Sequence, residues 1–93
     1  MVVNGAEPGR VVPLAKPRVV IGRADCDLVL SDPELSRQHA LIAINGTNAR
    51  LEDLGSTNGT FVDNKRIETA DLVDRSEFRI GSHELVFVIR DEE

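Results

Sequence analysis

Three short polar clusters hold most of the residue types that can do chemistry: Gly22-Arg23, Ser36-Arg37-Gln38-His39, and Asp53-Leu54-Gly55-Ser56-Thr57-Asn58-Gly59-Thr60. They offer the guanidinium forks of Arg23 and Arg37, the hydroxyls of Ser36 and Thr57, the amide of Asn58, and glycines that leave backbone N–H groups open. Only Glu34 and Asp53 bring carboxylates nearby. A set this rich in donors suits a dianionic phosphate, whose oxygens accept charge-assisted hydrogen bonds. It does not suit a metal ion, which takes oxygen and imidazole ligands.

Other chemistries fit the same residues less well. Ser36 and His39 could be a nucleophile and its base, but their spacing does not by itself pair them, and no third member or oxyanion hole is evident. His39, His83, Cys26, Asp25 and Asp27 show no zinc-ligand spacing such as Cys-x-x-Cys or His-x-x-x-His, so no metal is expected. Cys26 lacks the following arginine that a cysteine phosphatase needs. Asp25 and Asp27 are expected to shape the turn before Leu28. Asn45-Gly46-Thr47 and Asn58-Gly59-Thr60 match the glycosylation acceptor pattern. With no signal-peptide layout at the N-terminus, both read as turn chemistry instead. Lys65 and Arg66 either add positive charge near the clusters or are simply solvated.

The elements that must position these clusters are short. Met1-Val2-Val3 meets a turn at Asn4-Gly5, and Pro8-Gly9 leads into Val11-Val12. Arg18-Val19-Val20-Ile21 reads as a strand stopping at Gly22, and Leu28-Val29-Leu30 as a brief run closed by Asp32-Pro33. His39 to Ile44 reads as a buried strand ending at Asn45-Gly46, a strong hairpin signal. From Asn48 to Asp53, Ala49 and Leu51 alternate with Arg50 and Glu52, the pattern of a half-buried strand. Thr60 to Val62, Lys65 to Ile67, Glu77 to Ile80 and His83 to Ile89 follow, separated by Asp63-Asn64 and Gly81-Ser82. Glu68 to Ser76 is the weakest stretch, read as a short strand and a turn. Closely spaced turns between short β-branched runs, with no helical period held for three turns, predict an all-β sandwich.

Bulk properties narrow the function. The chain has 93 residues, 41% of them hydrophobic and only 3% aromatic, which is one domain with a thin core of Val, Ile and Leu. Eleven Lys and Arg stand against 16 Asp and Glu, a net charge of −5. An acidic domain is poorly suited to nucleic acid, so any anion must be held by a few placed donors. The single cysteine excludes an internal disulfide framework and suits a reducing, cytoplasmic setting. No apolar run nears the roughly 20 residues of a membrane-spanning helix. The Asp91-Glu92-Glu93 tail reads as solvated.

Gly22-Arg23, then Ser36-x-x-His39, then Gly55-Ser56-Thr57-Asn58-Gly59-Thr60-Phe61-Val62, at these spacings, resembles the signature of the forkhead-associated (FHA) domain family. Each piece alone is weak, and the combination is highly specific. The likeness runs from about residue 19 to 89, so the expectation is a single FHA domain over 1–93. The resemblance implies a two-sheet antiparallel β-sandwich of about eleven strands whose apical loops bind phosphothreonine peptides, with no cofactor and no catalysis. It implies that Arg23 and Ser36 contact the phosphate with Thr57 close by, that Asn58 holds the peptide backbone, and that Arg37 reaches the phosphate or the peptide. Gly22, His39 and Gly59 would support the site, and Glu34 would read the third residue beyond the phosphothreonine. The implied partner is a phosphothreonine-bearing protein, in trans or in the same polypeptide, downstream of a Ser/Thr protein kinase. The alternative is a sandwich that binds partners through a sheet face without phosphate.

Overall fold

The computed structural model describes residues 2–4 and 11–89, and the β-branched runs within them form eleven strands and no helix. In chain order these are β1 (Val2–Asn4), β2 (Val11–Pro13), β3 (Arg18–Gly22), β4 (Leu28–Val29), β5 (Ala40–Asn45) and β6 (Asn48–Asp53). They continue with β7 (Thr60–Val62), β8 (Lys65–Arg66), β9 (Thr69–Leu72), β10 (Ser76–Ile80) and β11 (His83–Val88). The turns expected at Gly5 and Pro8-Gly9, and the tail at 91–93, lie outside the described residues.

One sheet runs β2-β1-β11-β10-β7-β8 and the other β4-β3-β5-β6-β9. Their facing sides pack Val3, Ile80, Leu85 and Phe87 against Ile21, Ile42, Leu51 and Leu72 in one apolar layer. Each such side chain contributes about 1.5–3 kcal/mol by leaving water. Alternation along β6 buries Ala49 and Leu51 and exposes Arg50, while β10 buries Phe78 and Ile80, as the period-two pattern predicts.

Turn chemistry closes the hairpins. Asp63 and Asn64 both adopt left-handed backbone, at φ 52 and φ 64, between the paired Val62 and Lys65. Two consecutive positive φ values match the twist of the flanking strands. The β5–β6 hairpin closes one residue later than Asn45-Gly46 suggests: Asn45 pairs with Asn48, leaving Gly46-Thr47 as the loop. Only Gly46 there needs a positive φ, of 64. The weak stretch 68–76 resolves into β9 and a turn in which Val73 N–H bonds the Ser76 hydroxyl at 2.8 Å.

One pairing departs from the antiparallel pattern. β4 runs parallel to β3, Ile21 opposite Leu28 and Gly22 opposite Val29. The connection between them is far shorter than the usual parallel crossover. Asp27 makes this possible by doubling the chain back on β3: its N–H bonds the Val20 carbonyl at 2.9 Å, its Oδ2 accepts Val20 N–H at 2.9 Å, and Lys16 Nζ lies 2.6 Å from its Oδ1. The Lys16 ammonium, then the Val20 amide, hold the Asp27 carboxyl below its ordinary pKa.

The end of β3 is fixed just as tightly on its other side. A Cβ on Gly22 would sit 2.0 Å from the Arg37 carbonyl oxygen and 2.8 Å from its carbon. Only glycine lets the two backbones approach, and neither atom can step aside as a flexible side chain could. Gly22→Ala is therefore expected to cost about 1–3 kcal/mol of stability, the usual range for overpacking a filled site. A urea titration checks this, and an unchanged midpoint contradicts the contact.

Candidate functional site

The three clusters meet at one end of the sandwich. From the end of β3, Arg23 N–H bonds the Ser36 carbonyl at 3.0 Å and Ala24 N–H the Arg37 carbonyl at 3.2 Å. Arg23 Nε also donates to the Leu35 carbonyl at 3.2 Å, which anchors the guanidinium to the residue before Ser36 while Arg23 stays exposed. Ser36 Oγ accepts the Thr57 N–H at 3.2 Å. That acceptor role leaves the hydroxyl proton of Ser36 available to a ligand. Asn58 Nδ2 donates to the Glu34 carbonyl at 2.6 Å, a second tie between the 30–39 and 54–59 loops.

His39 sits underneath, fully buried. Its N–H bonds the Ile21 carbonyl at 2.9 Å, and its own carbonyl accepts Leu54 N–H at 2.9 Å. The ring Nδ1 lies 3.2 Å from Ser36 N, which can only donate, and Nε2 lies 2.8 Å from the Gly59 carbonyl, which can only accept. The ring must therefore carry its proton on Nε2. Both nitrogens are engaged, so neither serves the Ser36 hydroxyl as a base. A buried imidazole in this role is a brace.

Gly59 is buried at φ 92, with Arg66 Nε 2.9 Å from the place a Cβ would take. Arg66 donates from its guanidinium to the Ser56 carbonyl at 3.2 Å, so this arginine backs the loop. Arg37 is exposed and its guanidinium is paired with the Asp25 carboxylate across the gap between two loops. Gln38 Nε2 donates to the Asp25 carbonyl at 2.7 Å, so both residues of this stretch lean on Asp25. Glu34 is exposed, and its N–H bonds Asp32 Oδ1 at 2.9 Å.

Two carboxylates that shape the site are not among the residues the motif highlights. Asp53 closes the 53–60 loop from inside. Its Oδ2 accepts Ser56 N–H at 3.0 Å, and its Oδ1 accepts the Ser56 hydroxyl and, at 2.7 Å, the Thr60 hydroxyl. Ser56, itself buried, accepts Gly59 N–H at 3.0 Å. Burial pushes the Asp53 carboxyl up, but the hydroxyls of Ser56 and Thr60 and the Ser56 amide outweigh it and hold the group below its ordinary value. Asp32 fastens the other loop to the β10–β11 turn: Ser82 N–H and Oγ donate to Oδ2 at 3.0 and 2.7 Å. Those donors and the Glu34 amide hold the Asp32 carboxyl at about 2. The signal for both was an Asp just ahead of turn residues, where a carboxylate can accept amides one to three residues on.

A hollow of about 230 Å³ lies elsewhere, on the outer side of β7, β10 and β11, lined by Phe61, Glu77, Arg79 and Glu84. None of Arg23, Ser36, Arg37, Thr57 and Asn58 lines it. A phosphate ester held by side-chain forks needs an exposed rim, which the loop end provides.

With this geometry the comparisons with known proteins agree. Residues 19–81 match the FHA domain family. The chain belongs to the FHA family. It is 44% identical over 71 residues to the FHA domain-containing protein FhaB of Mycobacterium tuberculosis, covering 75% of this chain and 46% of that protein. The solved structure of Mycobacterium tuberculosis EmbR in complex with a low-affinity phosphopeptide superposes with a TM-score of 0.91 at 36% identity, over 99% of this chain and 25% of EmbR. The MEK1 FHA domain in complex with a phosphothreonine peptide of HOP1 superposes at 0.77 with 27% identity, over 97% of this chain and 96% of that one. This FHA domain thus spans about half of FhaB and a quarter of EmbR.

The Asp32 anchor of the FHA domain has a pH signature. Its native pKa of about 2 lies below the unfolded value of 3.8. The stability it confers is fully present above the unfolded value and is lost as pH falls through the native one, between about pH 4 and 2. Asp32→Asn should lower the melting temperature at neutral pH and flatten the loss of stability over that acid window. An acid limb as steep as that of the parent chain contradicts the anchor.

Proposed function

We propose that this FHA domain binds a phosphothreonine segment of a protein partner at the rim formed by Arg23, Ser36, Arg37, Thr57 and Asn58. The observation that carries the reading is the junction at Ser36. Its carbonyl holds Arg23, its N–H holds His39, and its hydroxyl takes Thr57 N–H, so the three polar clusters are tied together at one residue. Arg23 and Ser36 supply the primary phosphate contacts, with Thr57 close to them. Asn58, tied to the Glu34 carbonyl, holds the peptide backbone. Gly22, His39 and Gly59 set the spacing of the loops. EmbR and the MEK1 FHA domain, each solved with a phosphopeptide, support carrying this role to the present chain.

Magnitudes are adequate. Hydrogen bonds to charged groups contribute about 1.5–3 kcal/mol each, so three or four supply much of the roughly −8 kcal/mol of a micromolar complex. Threonine is favoured over serine because its methyl group adds about 0.8 kcal/mol if buried. The unphosphorylated segment leaves the donors without an anion, so binding follows a Ser/Thr protein kinase. The partner is a separate protein or another part of the same polypeptide. The domain corresponds to residues 1–93, works in the cytoplasm, needs no cofactor or metal, and performs no catalysis; nucleic acid and membrane are not its targets. Among the described residues no helix is long and apolar enough to cross a membrane.

Arg23→Ala and Ser36→Ala should each weaken binding of a phosphothreonine peptide at least about tenfold in calorimetry while the melting temperature stays near that of the parent. Equal affinity for plain and phosphorylated peptide would instead point to a sheet-face mode of binding. Glu34 sets a second preference. An array varying the third residue after the phosphothreonine should favour Lys or Arg over Asp, and Glu34→Ala should reduce that bias; a preference for Asp refutes this role.

A further inference from the structure

Asp25 occupies a place that the phosphate reading leaves unexplained. It holds left-handed backbone at φ 56, a conformation uncommon outside glycine and tolerated by Asp and Asn. That conformation is supported on its far side by the Gln38 amide, which donates to the Asp25 carbonyl at 2.7 Å. Residues 23–25 run alongside 36–38, tied by the Arg23–Ser36 and Ala24–Arg37 backbone bonds. This lateral pairing sets Arg23 beside Ser36 and Asp25 beside Arg37. The Asp25 carboxylate then bonds the Arg37 guanidinium, with the two side chains 66% and 65% exposed.

We propose that Asp25 is an intramolecular competitor for the anion site, occupying Arg37 in the free chain and yielding it when phosphothreonine binds. This inference rests on the phosphothreonine reading above. A guanidinium donates to carboxylate and phosphate oxygens alike, so the Asp25 carboxylate takes from Arg37 Nη2 a donor that a phosphate would otherwise use. The pair is exposed, and exposed ion pairs contribute only about 0–1 kcal/mol, so a doubly charged phosphate ester held also by Arg23 and Ser36 displaces it. A ligand without those additional contacts does not. Asp25 therefore raises the threshold for anion capture and keeps Arg37 from engaging weak anions at the rim. Among the described residues Arg23 is paired with no carboxylate; its Nε is held by a backbone carbonyl. The two arginines are thereby given different tasks, Arg23 as the standing phosphate contact and Arg37 as the conditional one.

The test is a double-mutant cycle. A phosphothreonine peptide is selected from a library on the parent chain and titrated calorimetrically into the parent, Asp25→Asn, Arg37→Ala and the double variant. Asp25→Asn keeps the side-chain shape and suits the left-handed backbone; Asp25→Gly serves as a second variant if the first is poorly folded. Binding to Asp25→Asn should tighten about two- to fivefold, the most an exposed ion pair withholds. The gain should shrink in the Arg37→Ala background and fade at high salt. Unchanged or weaker binding in Asp25→Asn overturns the inference. So does an equal gain with and without Arg37, which would be a net-charge effect alone. If no phosphothreonine peptide binds the parent chain, the phosphothreonine reading itself fails, a result distinct from parent binding that Asp25→Asn leaves unaltered.

Discussion

A single buried imidazole sets the geometry on which the rim depends. His39 has no solvent to satisfy its two ring nitrogens, and each leads to a different loop: Nδ1 to the Ser36 amide and Nε2 to the Gly59 carbonyl. Leaving a buried polar group without a partner costs about 1–3 kcal/mol, so movement of either loop away from the other is penalised at the ring. The two contacts also demand opposite proton occupancy, which selects one tautomer and makes the brace directional. A residue that only hydrogen-bonded one loop could orient it; one that spans both fixes their separation. Because Ser36 Oγ takes the Thr57 N–H, that separation sets how the two loops of the candidate site meet.

The sandwich contributes by making the ends of its strands rigid and near each other. β3 is gripped by β5 on one side and by β4 on the other, and its last residue touches the Arg37 backbone without an intervening side chain. Arg23 begins where that grip ends. The 30–39 loop is long for so small a domain, yet Asp32 pins it to the β10–β11 turn of the opposite sheet, and Asp53 closes the 53–60 loop on its own amides and hydroxyls. Two carboxylates, Asp32 buried and Asp53 half-buried, each accepting from amides and hydroxyls, thus do for the loops what disulfides do in secreted domains. This arrangement is compatible with a chain that has one cysteine.

Much of this was legible in the residues. Strand positions followed from period-two alternation at 48–53 and 77–80, and the turns from Asp63-Asn64 and Gly81-Ser82, because backbone geometry and burial act locally there. The three donor clusters were legible as types at spacings. What could not be read was which donors face one another, since that is set by long-range contacts such as Thr57 to Ser36. The parallel β3–β4 pairing was hidden for the same reason: it depends on Asp27 reaching back to Val20, a contact that no hydrophobic pattern records. Asp53 was visible as a nearby carboxylate and Asp32 as the start of a turn. Their role as internal fasteners needs the hydroxyls of Thr60 and Ser82 to be brought to them, and that is a property of the folded chain.

An acidic domain proposed to capture an anion looks contradictory until the charges are sorted by distance. Screening over about 8 Å at physiological ionic strength means that the −5 net charge acts weakly at the rim, while groups in contact act strongly. The overall charge then works against diffuse, non-specific attraction of polyanions, leaving affinity to the few donors that touch a ligand. Recognition so built depends on a fixed arrangement and not on a field. That is why the brace beneath the loops, and not the count of arginines above them, governs what the site can hold: moving a donor by an ångström loses a short charged hydrogen bond outright, whereas a distant surface charge changes the potential there only slightly.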